Sequence, residues 1–135
     1  MAKVEMKAQL RYLRMAPRKV RILADLLIGK SATEAIVQLE QSRRTASRPL
    51  LKLLQSAIAN AKHNYESDEA GLMIKQITVD GGPTLYRWMP RAMGRATPIR
   101  KRTAHIVLTL TGEIKDKKEK KDEQKITKNN LEFRV

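Results

Sequence analysis

The chain has no cysteine, which excludes a disulfide framework, a thiolate zinc site and any redox chemistry carried by sulfur. Long apolar runs are also missing. The opening MAKVEMKAQL holds no apolar signal core, and the longest apolar stretches are broken by Asp25 or Thr109, so neither a signal peptide nor a membrane span is expected. Acidic residues are in deficit, with 14 Asp+Glu against 28 Lys+Arg, leaving a net charge of +14 on 135 residues. Such a field attracts polyanions. The length allows one domain, or one domain and a tail. The expectation is an intracellular basic protein.

Catalytic constellations are lacking as well. His63 and His105 stand alone, the acidic group Glu66, Asp68 and Glu69 has no companion ligands and reads as a polar turn, and neither a phosphate-cradling glycine loop nor zinc spacing occurs. No enzyme activity, cofactor or metal is expected. What the chain does have is sorted charge. Lys3 to Arg21 carries a net +6 and Arg87 to Thr103 another +6 with no acid, while basic and acidic residues cancel from Ile22 to Tyr86.

The neutral centre reads as the folding core. Pro17 suits a first helical position, Val20, Leu23, Ala24 and Leu27 follow at helical spacing, and Gly29 marks a stop. Ser31 and Glu34 have capping-box spacing ahead of Ala35, Ile36 and Leu39. Thr45 or Ser47 is expected to cap a third helix with a stripe through Leu50, Leu53, Leu54, Ala57, Ile58 and Ala61; Pro49 is tolerable only in its first turn. Val4 to Leu10 alternates at period 2, and Leu72 to Val79 and His105 to Leu110 also read as strands. Three helices with apolar stripes need a partner layer, so the expected fold is α+β, three helices packed on a small three-stranded antiparallel sheet.

Between the last two strands lies GGPTLYRWMPRAMGRATPIRKRT, Gly81 to Thr103. Arg87, Arg91 and Arg95 recur every four residues, but Pro90, Gly94 and Pro98 oppose a helix, and a hairpin joining Thr84–Pro90 to Pro98–Leu110 fits better. Arms of about ten residues would reach on the order of 30 Å, beyond a body whose radius of gyration is about 13 Å. With many arginines, few aromatics and no acid, this arm suits phosphates better than a core. Tyr86 and Trp88 either stack on bases or pack at the hairpin base; both readings stand.

The runs LRMAPRKVRILADLLIGK, LLKLLQSAIANAKHN and VDGGPTLYRWMPRAMGRATPIRKRTAHIVLTL closely resemble the large-subunit ribosomal protein L twenty-two family of bacterial type, in order from about Val4 to Leu110. That resemblance implies a constituent of the cytoplasmic large ribosomal subunit that binds 23S-type ribosomal RNA during assembly. Neighbouring large-subunit proteins and the nascent polypeptide would be its further partners. Position by position it implies RNA contacts by Arg14, Arg18, Lys19 and Arg21 and by Arg87, Arg91, Arg95, Arg100, Lys101 and Arg102. The tip, Met89, Pro90, Arg91, Ala92, Met93, Gly94, Arg95 and Ala96, would line the peptide exit tunnel. The family often has a basic residue where this chain has Tyr86 and Met93. From another class, an architectural DNA-binding protein with basic β-arms would need a dimer, whereas the ribosomal reading expects a monomer off the ribosome. The expected domain spans 1–112, with the hairpin at about 82–106, followed by a charged extension over 113–135 with few apolar residues.

Overall fold

The computed structural model describes residues 3–65 and 71–113; residues 66–70, where a polar turn is expected, and the extension beyond Glu113 lie outside the described residues. The element order is β1 (Lys3–Leu13), α1 (Pro17–Leu27), α2 (Ala32–Gln41), α3 (Ser47–Tyr65), β2 (Met73–Gly81), β3 (Leu85–Pro90), β4 (Ala96–Lys101) and β5 (Ala104–Glu113). Strand β5 is central in a three-stranded antiparallel sheet of order β1-β5-β2, and β3 pairs with β4 in a separate hairpin. This is the expected α+β architecture. Among the described residues no helix is long and apolar enough to cross a membrane.

The helices form where their local signals say. Pro17 is the first residue of α1, and its N-cap, Ala16, offers no side-chain bond. Gly29 takes a φ of +82°, the left-handed stop that a residue without Cβ adopts freely. Its N–H then donates to the Ile74 carbonyl at 2.9 Å, tying the end of α1 to β2. The Ser31 hydroxyl accepts from the Glu34 N–H at the start of α2. At α3 the cap differs from expectation. Ser47 is already inside the helix, and its buried hydroxyl donates backwards to the Ser42 and Arg44 carbonyls. It therefore holds the α2–α3 junction instead of accepting from the next turn.

The stripes of the three helices cover one face of the sheet. Val20, Leu50 and Leu54 are wholly buried, together with Ile106 and Leu110 of β5; each such aliphatic side chain contributes about 1.5–3 kcal/mol relative to exposure. Two irregularities keep the strands in phase with this core. Leu10 and Leu13 of β1, three residues apart, face Ile106 and Ala104, two apart. One extra residue is therefore accommodated at Tyr12, whose φ is +57°. In β2, Ile74 and Gln76 face Leu110 and Thr109, so Lys75 is the extra residue. That insertion lets Ile74 and Ile77 both point into the core despite their odd spacing. On the open face Lys75 pairs with Glu5 of β1, and this ion pair holds the Glu5 carboxyl below its ordinary range.

Deleting Lys75 should turn Ile74 outward and cost about 2–4 kcal/mol in urea unfolding. Lys75→Ala keeps the residue count and should cost less than about 1 kcal/mol. Equal effects of the two changes would contradict the phase argument.

Candidate nucleic-acid interface

The hairpin springs from a clasp at its root. The Gly82 N–H donates to the Thr103 carbonyl at 2.9 Å, and the buried Thr103 hydroxyl donates to the Pro83 carbonyl at 2.6 Å. At Arg102 and Thr103 the chain leaves one sheet for the other, so the long arm expected from Pro98 to Leu110 is divided into β4 and β5. The paired arms are six residues each, about 20 Å, and the tip loop extends them. The main-sheet strand β5 continues through Glu113, beyond the strand expected over His105 to Leu110.

The loop at the tip is closed by the Arg91 N–H donating to the Arg95 carbonyl at 2.7 Å. Met93 and Gly94 inside it both have positive φ, +60° and +69°. Glycine adopts that conformation without cost, while methionine is held there against its preference. The Met93 side chain is 94% exposed. No residue of β3 or β4 is buried, and Ile99 alone is even half-buried. A two-stranded hairpin without a core is marginal in water by itself; its order depends on the root clasp and on whatever lies against it.

The register divides the hairpin into two faces. Tyr86 opposes Arg100 and Trp88 opposes Pro98 on one side; Arg87 opposes Ile99 and Leu85 opposes Lys101 on the other. At the root these cations meet others from far away in the chain. A hollow of about 610 Å³ is lined by Arg14, Lys19, Arg43, Arg44, Arg100, Lys101 and Arg102 together with Met15, Ala16, Thr45 and Ala46. Seven cations therefore share one concavity. Arg14 is oriented by the Tyr12 bulge before it, and its Nη1 donates to the Arg102 carbonyl at 2.8 Å. Among the described residues no carboxylate pairs with any of the seven; the ion pair between Lys75 and Glu5 lies elsewhere.

Two helices begin at this hollow, since Ala16 precedes α1 and Ala46 precedes α3. Neither has an acidic residue in its first turn, and α1 carries Arg18 and Lys19 there instead. Helix N-termini are positive and favour anions. Placing cations beside them opposes stability, and the arrangement is suited to a polyanion that satisfies both.

Of the residues expected at the interface, the fold brings Arg14, Lys19, Arg100, Lys101 and Arg102 together. Arg18 is exposed on α1 outside the hollow, and Arg21 uses Nε and Nη2 on the Val79 carbonyl at 3.1 and 2.9 Å. Arg87 donates from Nη1 to the Tyr86 carbonyl, and Arg91 and Arg95 are exposed at the tip. From the sequence, Arg43 and Arg44 enter only a helix-turn-helix alternative, using Arg43, Arg44 and Arg48, and stay out of the RNA-binding set because they sit in the charge-balanced centre; the packing of α2 on α3 delivers them here. Behind the clasp, the Tyr12 N–H donates to His105 Nδ1 at 3.1 Å, and the two rings meet edge to face.

A Cβ on Gly82 would lie 2.4 Å from Thr103 Oγ1 and 3.1 Å from His105 Nε2. The hydroxyl cannot retreat without losing Pro83. Gly82→Ala should therefore destabilise the protein by about 1–3 kcal/mol, whereas Gly81→Ala, which meets nothing within 4 Å, should cost less than about 1 kcal/mol. Thermal unfolding of the pair checks the clasp; equal midpoints would contradict it.

Residues 8–111 match the family model described as Ribosomal protein L22p/L17e. Two relatives from Desulfitobacterium hafniense, each named Large ribosomal subunit protein uL22, align over 104 residues, covering 77% of this chain and 91% of theirs. They are 53% identical in strain Y51 and 51% identical in strain DSM 10664 / DCB-2.

Proposed function

The chain belongs to the Ribosomal protein L22p/L17e family, and from that premise we propose that it binds 23S-type ribosomal RNA through the hollow at the hairpin root and carries the hairpin tip to the peptide exit tunnel. It is a constituent of the large ribosomal subunit in the cytoplasm and not an enzyme. The observation that carries the RNA reading is the convergence of seven cations, from the β1–α1 connection, α1, the α2–α3 junction and the hairpin root, none paired with a carboxylate among the described residues, beside two helix N-termini. A single strand of phosphates laid across the hollow meets guanidinium forks from several directions.

The tip, Met89 to Ala96, has a different part. It makes no contact with the core, and Ala92, Gly94 and Ala96 allow close approach to an RNA wall. Tunnel lining and proximity to the nascent polypeptide are assigned to it on the family resemblance and on this projection. Off the ribosome the protein is a monomer in this reading, in contrast to a two-armed DNA-bending dimer. The extension after Glu113 contributes little to stability or RNA affinity, given its near-balanced charge.

Binding to 23S-type rRNA should depend steeply on salt, with log K against log[salt] falling at roughly −4 to −9 if six to ten phosphates are neutralised. Replacing Arg43 and Arg44 together by Ala should make that slope shallower by about one to two and weaken binding without changing sequence preference. A wild-type slope shallower than about −2 would contradict the proposal.

Root and tip should also separate in assembly. Alanine at Arg100, Lys101 and Arg102 should impair incorporation into subunits, whereas deletion of Met93, Gly94 and Arg95 should permit it and alter nascent-chain crosslinking. A tip deletion that blocks assembly as severely as the triple change would defeat the tunnel assignment.

A further inference from the structure

Tyr86 and Trp88 stand two residues apart on one face of β3 and remain 55% and 68% exposed. Their cross-strand neighbours are Arg100 and Pro98, so neither ring is covered by a core, and Trp88 keeps most of its surface open even with Pro98 opposite. This is unlike Tyr12, whose ring has a protein partner in His105. A Trp and a Tyr with more than half of their surface open on a core-less hairpin contribute little to burial, so packing alone does not account for them.

We propose that this face is a base-stacking platform, where Tyr86 and Trp88 take unpaired RNA bases while the cations beside them hold the adjoining phosphates. The proposal rests on the RNA-binding reading above and adds to it a site for nucleobases. Three observations carry it. The segment from Arg87 to Thr103 has six cations and no acid, so the strand brought to this face is polyanionic. Side chains two apart on a strand are separated by about 7 Å, twice the roughly 3.4 Å rise of stacked bases, which leaves room for one base between the rings. Arg100, directly across from Tyr86, supplies both a planar stacking surface and a phosphate fork.

The opposite face, with Arg87 and Lys101 among Leu85 and Ile99, lacks aromatic rings and is left to phosphate contact. The two sides of one hairpin thereby read different parts of the same polymer. Base stacking of this kind tolerates any sequence but requires a base that is not paired.

Trp88 is the only tryptophan of the chain, so its emission reports on this face alone. The full-length protein should be titrated at low salt with a single-stranded oligoadenylate and with an abasic oligonucleotide of equal length and charge. Stacking predicts strong quenching of Trp88 with the oligoadenylate and little with the abasic strand, and binding at least about fivefold tighter to the former. Trp88→Ala should reduce oligoadenylate affinity by roughly five- to a hundredfold, the range of one lost base–aromatic stack. Trp88→Phe should stay within about threefold of wild type, and abasic binding should be unchanged by either substitution. Equal affinity for the two strands without quenching would overturn the platform and leave the RNA-binding reading intact. Absence of salt-dependent binding to both strands would overturn both.

Discussion

Mutual repulsion among cations that the fold holds together, with no carboxylate of the described residues paired to them, is the constraint on which this structure turns. Arg14, Lys19, Arg43, Arg44, Arg100, Lys101 and Arg102 line one hollow, and no carboxylate among the described residues pairs with them. Like charges brought together oppose the compact state. The aliphatic core between three helices and β5 must therefore supply the stability that the hollow removes. The separation of roles is clear in space: wholly buried Leu50, Leu54, Ile106 and Leu110 lie under the helices, and the charge lies where the helices begin.

Small backbone devices aim that charge. The Tyr12 insertion restores Leu13 to the core face, so that Arg14 follows at the hollow and reaches the Arg102 carbonyl. The Ser47 hydroxyl fixes the α2–α3 junction that bears Arg43 and Arg44. Gly82, Pro83 and Thr103 divert the chain from the main sheet into the hairpin and back, leaving Arg100 to Arg102 at the rim. Each device costs a residue its usual conformation or its usual partner. Together they convert cations spread across nearly ninety positions of sequence into one surface.

Much of this was legible in the residues themselves. The α+β class, the three helices and the projecting hairpin follow from apolar periodicity, from Pro17 and Gly29, and from the prolines that forbid a helix between Gly81 and Thr103. The two charge-rich segments marked most of the hollow. The place of Arg43 and Arg44 beside the other cations was hidden because net charge over a segment cancels contributions that tertiary packing later separates. The insertions at Tyr12 and Lys75 were hidden for a related reason: a strand's phase depends on its partner's register, which one strand's alternation does not contain. The division of the long arm at Thr103 depends on a hydroxyl meeting a carbonyl 20 residues away, again a long-range fact.

The central claim, that residues distant in sequence form one RNA-binding surface, is tested most directly by site-specific crosslinking in the assembled large subunit. A photo-reactive amino acid placed at position 44 in one preparation and at position 101 in another should label the same short stretch of ribosomal RNA, because both positions face one hollow. Labelling of RNA helices remote from each other, or no RNA crosslink from position 44, would contradict the account.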